Sequence, residues 1–337
     1  MPREYDESDV RVRPGRGTRP RTKRRPDHAD AEEAMVTVVD RGRWTCAPGG
    51  DPDRPPVTAM RARELGRTPI VVGDRVGLVG DLSGAPDTLA RIVRVEERST
   101  VLRRTADDTD SFERTVVANA DRLVIVTAVA DPEPRTGFVD RCLVAAYAGG
   151  LEPVLCLTKA DLADPAPFAE QYADLEFPVV VTRRGEFPTE LGALLEGRVS
   201  ALVGHSGVGK STLVNALVPD AVQRTGVVSG VGKGRHTTVA AIALPLADGW
   251  VVDTPGVRSF GLAHVTPNAV IAAFDDLAAA VEDCPRGCGH LGPPADPECA
   301  LDALVTAGAL RPGRLGALRR VLVALRAAPP GAPPAER

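Results

Sequence analysis

The spacing of apolar and polar positions changes character along the chain. Between residues 34 and about 110 it gives short apolar stretches: Met35 to Val39, Val57 to Arg63, Ile70 to Val79 and Leu89 to Arg103. Gly73 and Asp74 interrupt the third as a turn would. Evenly spaced short strands predict a small β-barrel, OB-type in the first instance, although an SH3-like barrel fits the same pattern. From about residue 115, apolar runs alternate with helical stretches, the signature of a parallel α/β fold. Leu123 to Val129, Pro153 to Leu157, Phe177 to Val181, Val199 to Val203 and Trp250 to Val252 read as strands, and Val139 to Ala148 as a helix. Beyond about residue 262 the strand pattern stops and short Ala/Leu-rich helices follow. The expected organisation is a basic disordered tail (1–33), an OB-type barrel (34–110), an α/β domain (111–262), a helical domain (263–326) and a second disordered tail (327–337).

Composition fits this picture and narrows it. Apolar residues make up 43% of the chain, charged residues 26% and aromatic residues only 4%, so Ala, Val and Leu must fill the core and stacking surfaces for bases are few. No apolar run approaches the roughly 18 residues needed to cross a bilayer, and the N-terminus is charged, which leads us to expect a cytoplasmic protein. The net charge of −4 argues against nucleic-acid binding over the whole surface. Residues 11–25, however, carry eight basic side chains and no acidic one. That stretch reads either as a solubilising tail or as an arm for a polyphosphate such as RNA.

Three segments carry candidate chemistry. Gly204-His205-Ser206-Gly207-Val208-Gly209-Lys210-Ser211 fits G-x-x-x-x-G-K-[ST] between an apolar strand and a helix beginning near Thr212. Its backbone N–H groups and the helix N-terminus would cradle phosphates, Lys210 would bridge the β and γ phosphates, and Ser211 would ligate Mg²⁺. Thr158-Lys159-Ala160-Asp161 follows a strand. Its Asp161 can accept from both N1–H and the exocyclic amine of guanine, a donor pair adenine lacks, while the Lys159 stem lies over the purine. Asp253-Thr254-Pro255-Gly256 also follows a strand; Asp253 would hold Mg²⁺ through water and Gly256 would offer an N–H to the γ phosphate.

Between the phosphate loop and Asp253 lies Gly234-Arg235-His236-Thr237-Thr238, a switch-like stretch in which either Thr237 or Thr238 could complete the metal shell. Val257 stands where many GTPases carry a water-orienting glutamine; His205 and His236 are candidates for that task, and each reads equally well as structural or as a partner contact. The catalytic set is therefore read as Lys210, Asp253, Gly256 and His236. Further on, Cys284, Cys288, His290 and Cys299 place three thiols and an imidazole within sixteen residues. These suffice for a closed, structural tetrahedral Zn²⁺ site, with buried free cysteines as the alternative.

The base motif precedes the phosphate loop, the reverse of the ordinary GTPase order. Permuted motifs, a leading barrel and a trailing Cys/His cluster resemble the ribosome small-subunit-dependent GTPases, the RsgA family. Further likenesses are Ala118-Asn119-Ala120-Asp121, Val139-Asp140-Arg141 and Val257-Arg258-Ser259-Phe260-Gly261. The resemblance implies a circularly permuted P-loop GTPase domain with an OB-type barrel and a C-terminal helical zinc-binding domain. It also implies GTP as substrate with Mg²⁺ and one structural Zn²⁺, and the small ribosomal subunit with its 16S rRNA as partner of a monomer. Thr158 replaces the more usual asparagine, which should weaken a brace on the guanine site while leaving Asp161 in place. Val239 stands where the family often has a third threonine. The family spacing C-x4-C-x-H-x5-C reads here as Cys284-x3-Cys288-x-His290-x8-Cys299. Two other readings compete with a small-subunit maturation GTPase. One is a permuted GTPase with another ribosomal or RNA target, against which the barrel and cluster argue. The other is an RNA-binding module with a non-catalytic nucleotide site, against which Lys210, Ser211 and Asp253 argue.

Overall fold

The structure is a computed structural model that describes residues 28–105, 113–218, 241–254, 262 and 265–326. The disordered tails expected from the sequence fall almost wholly outside these residues, as do Gly256, Val257, His236, Thr237 and Thr238.

Five strands, β1 (Glu32–Asp40), β2 (Arg43–Pro48), β3 (Val57–Arg61), β4 (Arg75–Gly80) and β5 (Ala90–Val95), close on themselves in the order β1-β2-β3-β5-β4-β1. β3 and β5 run parallel, Ala59 opposite Ala90, and the other pairs are antiparallel, which is the OB arrangement. Ala34, Val36, Trp44, Val57, Leu78 and Ile92 fill its interior. The sequence left Arg43–Pro48 unassigned because it is polar at Arg43 and Thr45. The stretch Leu89 to Arg103, read as one strand, is two: β5 closes the barrel, and β6 (Val101–Thr105) starts a hairpin with β7 (Glu113–Ala118). Between them Arg98 turns back, and its Nε and Nη2 reach the fully buried carboxylate of Asp74 at 2.7 and 2.9 Å.

The α/β part follows with β8 (Arg122–Ala128), α1 (Thr136–Gly149), β9 (Glu152–Thr158), α2 (Ala166–Ala169), β10 (Val179–Val181), α3 (Thr189–Leu195), β11 (Arg198–Val203), α4 (Lys210–Leu217), β12 (Ile242–Pro245) and β13 (Gly249–Asp253). Strand order is β10-β9-β8-β11-β13-β12, parallel except for β12. The parallel strands are continuous apolar runs because both faces are covered. β12, four residues long and unassigned from sequence, pairs with β1 at Val38 and Ile242, so barrel and α/β sheet form one eleven-stranded sheet. β1 therefore serves two cores: Ala34 and Val36 face the barrel, and Met35 joins Leu123, Val139 and Leu143 on the other side.

Four helices end the described chain: α5 (Pro267–Ile271), α6 (Asp275–Ala278), α7 (Ala300–Thr306) and α8 (Pro312–Arg326). α8 buries Leu315, Leu318, Val321, Leu322 and Leu325 in the core shared with α1. Its polar side grips the α/β part. Arg320 lies 4.8 Å from the Tyr172 ring centroid and donates to the Gln171 carbonyl at 2.8 Å, and Arg314 pairs with Glu176 at 3.1 Å.

Candidate functional site

The carboxyl ends of β8, β9, β11 and β13 converge, the place where open parallel sheets bind ligands. They line a cleft of about 1180 Å³ whose walls include Thr158, Lys159, Asp161, Gly207, Lys210 and Asp253. The three nucleotide motifs, separated along the chain, thus meet in one cavity.

β11 ends at the phosphate loop. Gly207 and Gly209 take φ of 82° and 92°, a left-handed backbone that a side chain would strain, and this lets the chain curl before α4 begins at Lys210. Leu213, Val214 and Leu217 anchor α4 to the sheet, fixing where its N-terminus points. The Lys210 ammonium pairs with the Asp253 carboxylate and donates to the Thr254 carbonyl at 2.7 Å. Thr254 is itself fully buried, its hydroxyl donating to the Leu202 carbonyl at 2.6 Å, so β13 and β11 are tied together beside the loop. The His205 ring packs obliquely on Phe138, centroids 4.1 Å apart.

The base motif caps β9. The Thr158 hydroxyl donates to the carbonyl of Val208 at 2.5 Å, so the base motif touches the phosphate loop directly. Lys159 has φ 60° and its ammonium donates to the Asp131 carbonyl, drawing its stem along the cleft wall. Asp161 accepts from the backbone N–H of Arg184 at 3.2 Å, and the N–H of Ala160 donates to Thr182 at 3.2 Å. Asp131 and the Thr182–Arg184 loop are cleft residues that the motif reading missed. Their signal was positional, since both follow the carboxyl end of a strand, β8 and β10. Gly204, Ser206 and Ser211 line the same cavity, as does Thr212.

The second cluster lies at the far end of the chain. The donor atoms of Cys284, Cys288, His290 and Cys299 all fall within 4.8 Å of one another. His290 Nδ1 is 3.5 Å from Cys284 Sγ and 3.9 Å from Cys299 Sγ. Tetrahedral zinc–thiolate bonds of about 2.3 Å require donors separated by slightly under 4 Å, and three soft thiols with one imidazole suit that ion. Burial lowers the His290 pKa, favouring the neutral imidazole that can ligate, and desolvation pushes the Cys288 thiol up to about 12, so a cation must displace its proton. Cys46 and Cys156 are buried elsewhere, both pushed up to about 12 by desolvation, which makes them inert core residues.

The family model "RsgA GTPase" matches residues 95–263. A Gemmatimonas aurantiaca protein named small ribosomal subunit biogenesis GTPase RsgA is 40% identical over 257 residues, 74% of this chain and 82% of that one. A Pseudomonas aeruginosa protein of the same name is 37% identical over 267 residues, 76% of each. Among solved structures, YjeQ from Thermotoga maritima superposes with a TM-score of 0.63 at 26% identity, covering 88% of this chain and 99% of that one. YloQ, described as a circularly permuted GTPase, gives a TM-score of 0.63 at 21% identity, covering 89% and 96%, and speaks for the fold.

Proposed function

The chain belongs to the RsgA GTPase family, and from that premise we propose that it hydrolyses GTP as a late maturation factor of the small ribosomal subunit, with the subunit stimulating the reaction. The observation that carries the target is the 40% identity, over 82% of its length, to a protein named for small-subunit biogenesis.

In this reading the nucleotide lies along the cleft with its base toward Asp161 and its phosphates on Gly204 to Thr212. Asp161 accepts from guanine, Lys159 covers the ring, and Thr158 keeps the two ends in register. Lys210 leaves Asp253 for the β and γ phosphates, where it offsets charge as the γ phosphate departs. Ser211 and Asp253, together with Thr237 or Thr238, would hold Mg²⁺, whose chemistry is to neutralise the same oxygens; the acidic and hydroxyl donors present fit it. Cys284, Cys288, His290 and Cys299 would hold one structural Zn²⁺. The division into barrel, GTPase domain and zinc-binding domain follows the same reading, with the barrel and metal element contacting 16S rRNA, and the protein acting as a cytoplasmic monomer. No helix among the described residues is long and apolar enough to cross a membrane.

Because Val257 cannot polarise water, the isolated enzyme should turn over slowly, and His236 or a group supplied by the subunit would orient the nucleophile. The test is the GTP hydrolysis rate titrated with purified small or large subunits. Saturable stimulation by small subunits alone is expected; equal stimulation by large subunits would reject the target.

A further inference from the structure

No described strand carries a residue of the Cys/His cluster, yet the backbone around its histidine is held by Asp296 and Arg319. We propose that Asn268 and Asp296 are positioning residues that set His290 in ligating geometry before a metal arrives. This rests on the reading of the cluster as a zinc site.

His290 takes φ 59°, a left-handed backbone uncommon outside glycine that persists where its surroundings hold it. Here they do. The carboxylate of Asp296 accepts from the N–H groups on both sides of the histidine, Gly289 at 2.9 Å and Leu291 at 2.8 Å. Asp296 lies in the eight residues between His290 and Cys299, and its own N–H donates to the Gly292 carbonyl at 2.8 Å, folding that spacer back over the turn. The His290 carbonyl accepts from Arg319 Nε at 3.1 Å, and Arg319 also pairs with Asp302 at 2.7 Å. Seven residues on along α8, on the same side of the helix, Arg326 lies so close to the turn that a Cβ on Gly289 would fall 1.5 Å from its Nη2.

The ring is fixed separately. His290 is 1% exposed, and its Nε2 lies 2.7 Å from Asn268 Oδ1. With Asn268 Oδ1 as the acceptor, Nε2 is assigned the proton, which leaves the Nδ1 lone pair facing the thiols. The opposite tautomer would set two lone pairs against each other. Asn268 is itself exposed, but its backbone is set by the start of α5: it lies in the first turn, after Pro267, and the Thr266 side chain accepts from Ala269 N–H at 3.2 Å. Hydrogen bonds of this kind to a ligating imidazole are worth about 10- to 100-fold in metal affinity.

The experiment compares the full-length protein with Asn268→Leu, which keeps the volume and removes the acceptor, Asn268→Asp, which keeps the acceptor, and Asp296→Ala. Zinc affinity is read by competition with a chromophoric chelator, ligand geometry by the visible spectrum of the Co²⁺-loaded proteins, and GDP affinity serves as the control for folding. Asn268→Leu and Asp296→Ala should each weaken zinc by about 10- to 100-fold and alter the Co²⁺ bands, with GDP binding unchanged. Asn268→Asp should stay near the parent in both readouts. A parent protein that binds one zinc while Asn268→Leu matches it in affinity and spectrum overturns this inference and leaves the zinc site standing. A parent that binds no zinc overturns both. Should Asp296→Ala lose GDP binding as well, the two Asn268 variants decide alone.

Discussion

In the nucleotide cleft, Thr158, Val208 and Asp253 come from three stretches of chain and meet because a parallel sheet carries each to the same edge. In the Cys/His knuckle the four candidate donors lie within sixteen residues, and no described strand carries any of them. The cleft inherits its shape from a framework: α4 is anchored by Leu213, Val214 and Leu217, and the loop it follows is fixed by two left-handed glycines. The knuckle draws its shape from hydrogen bonds aimed at its own backbone by Asp296 and Arg319. A site on a sheet can lose one polar contact and keep its geometry, whereas a site built on a turn depends on each of them.

That contrast can be broken at graded strength. Cys288→Ala should remove the metal altogether, taking zinc from about one per chain to none, because binding energy on the order of 10 kcal/mol is tied to the folding of such elements. Retention of stoichiometric zinc by elemental analysis would remove Cys288 from the ligand set. Lys210→Ala should lower the hydrolysis rate by about 10²–10³-fold, as loss of one donor to a developing charge does, while the fold survives, since the sheet remains. Phosphate release under saturating GTP measures it, and an unchanged rate would show that Lys210 does not touch the phosphates. Asp161→Asn should weaken GTP by about 10- to 100-fold and shift preference toward xanthine nucleotides, since a charged hydrogen bond is worth about 1.5–3 kcal/mol. Competition binding with GTP, XTP and ATP decides it. The smallest effect belongs to Thr158→Val: one hydrogen bond of about 1 kcal/mol to Val208 is lost, a roughly fivefold weaker GDP affinity by calorimetry. An effect as large as that of Asp161→Asn would mean the sheet alone does not hold the two motifs together.

The same contrast explains what could be read in advance. Glycines at 204, 207 and 209 and the Lys210-Ser211 pair are legible because phosphate binding restricts both residue type and spacing. The continuous apolar strands around them are legible for a related reason, since burial on both faces leaves no polar positions. β2 and β12 were not, the first because Arg43 and Thr45 are partly exposed, the second because four residues carry too little pattern. Asn268, Asp296 and Arg319 left no trace as ligand partners, since hydrogen bonds to a backbone or ring atom, whether five residues away or twenty-nine, impose no fixed pattern on the sequence. Thr158 is a middle case. Its departure from asparagine predicted a weaker brace, and only the fold shows that its shorter side chain still reaches Val208.

The strand that serves two cores has a thermodynamic consequence. Were the barrel tethered by a flexible linker, heating would melt it independently of the rest. Instead Val38 is paired with Ile242, Met35 is inserted into the α1 core, and the Trp250 indole donates to the Gly50 carbonyl at 3.0 Å. Pulling β1 out of the barrel withdraws apolar surface from the larger core in the same event. Barrel and α/β sheet should therefore cross a calorimetric scan as one cooperative peak, with calorimetric and van 't Hoff enthalpies in agreement.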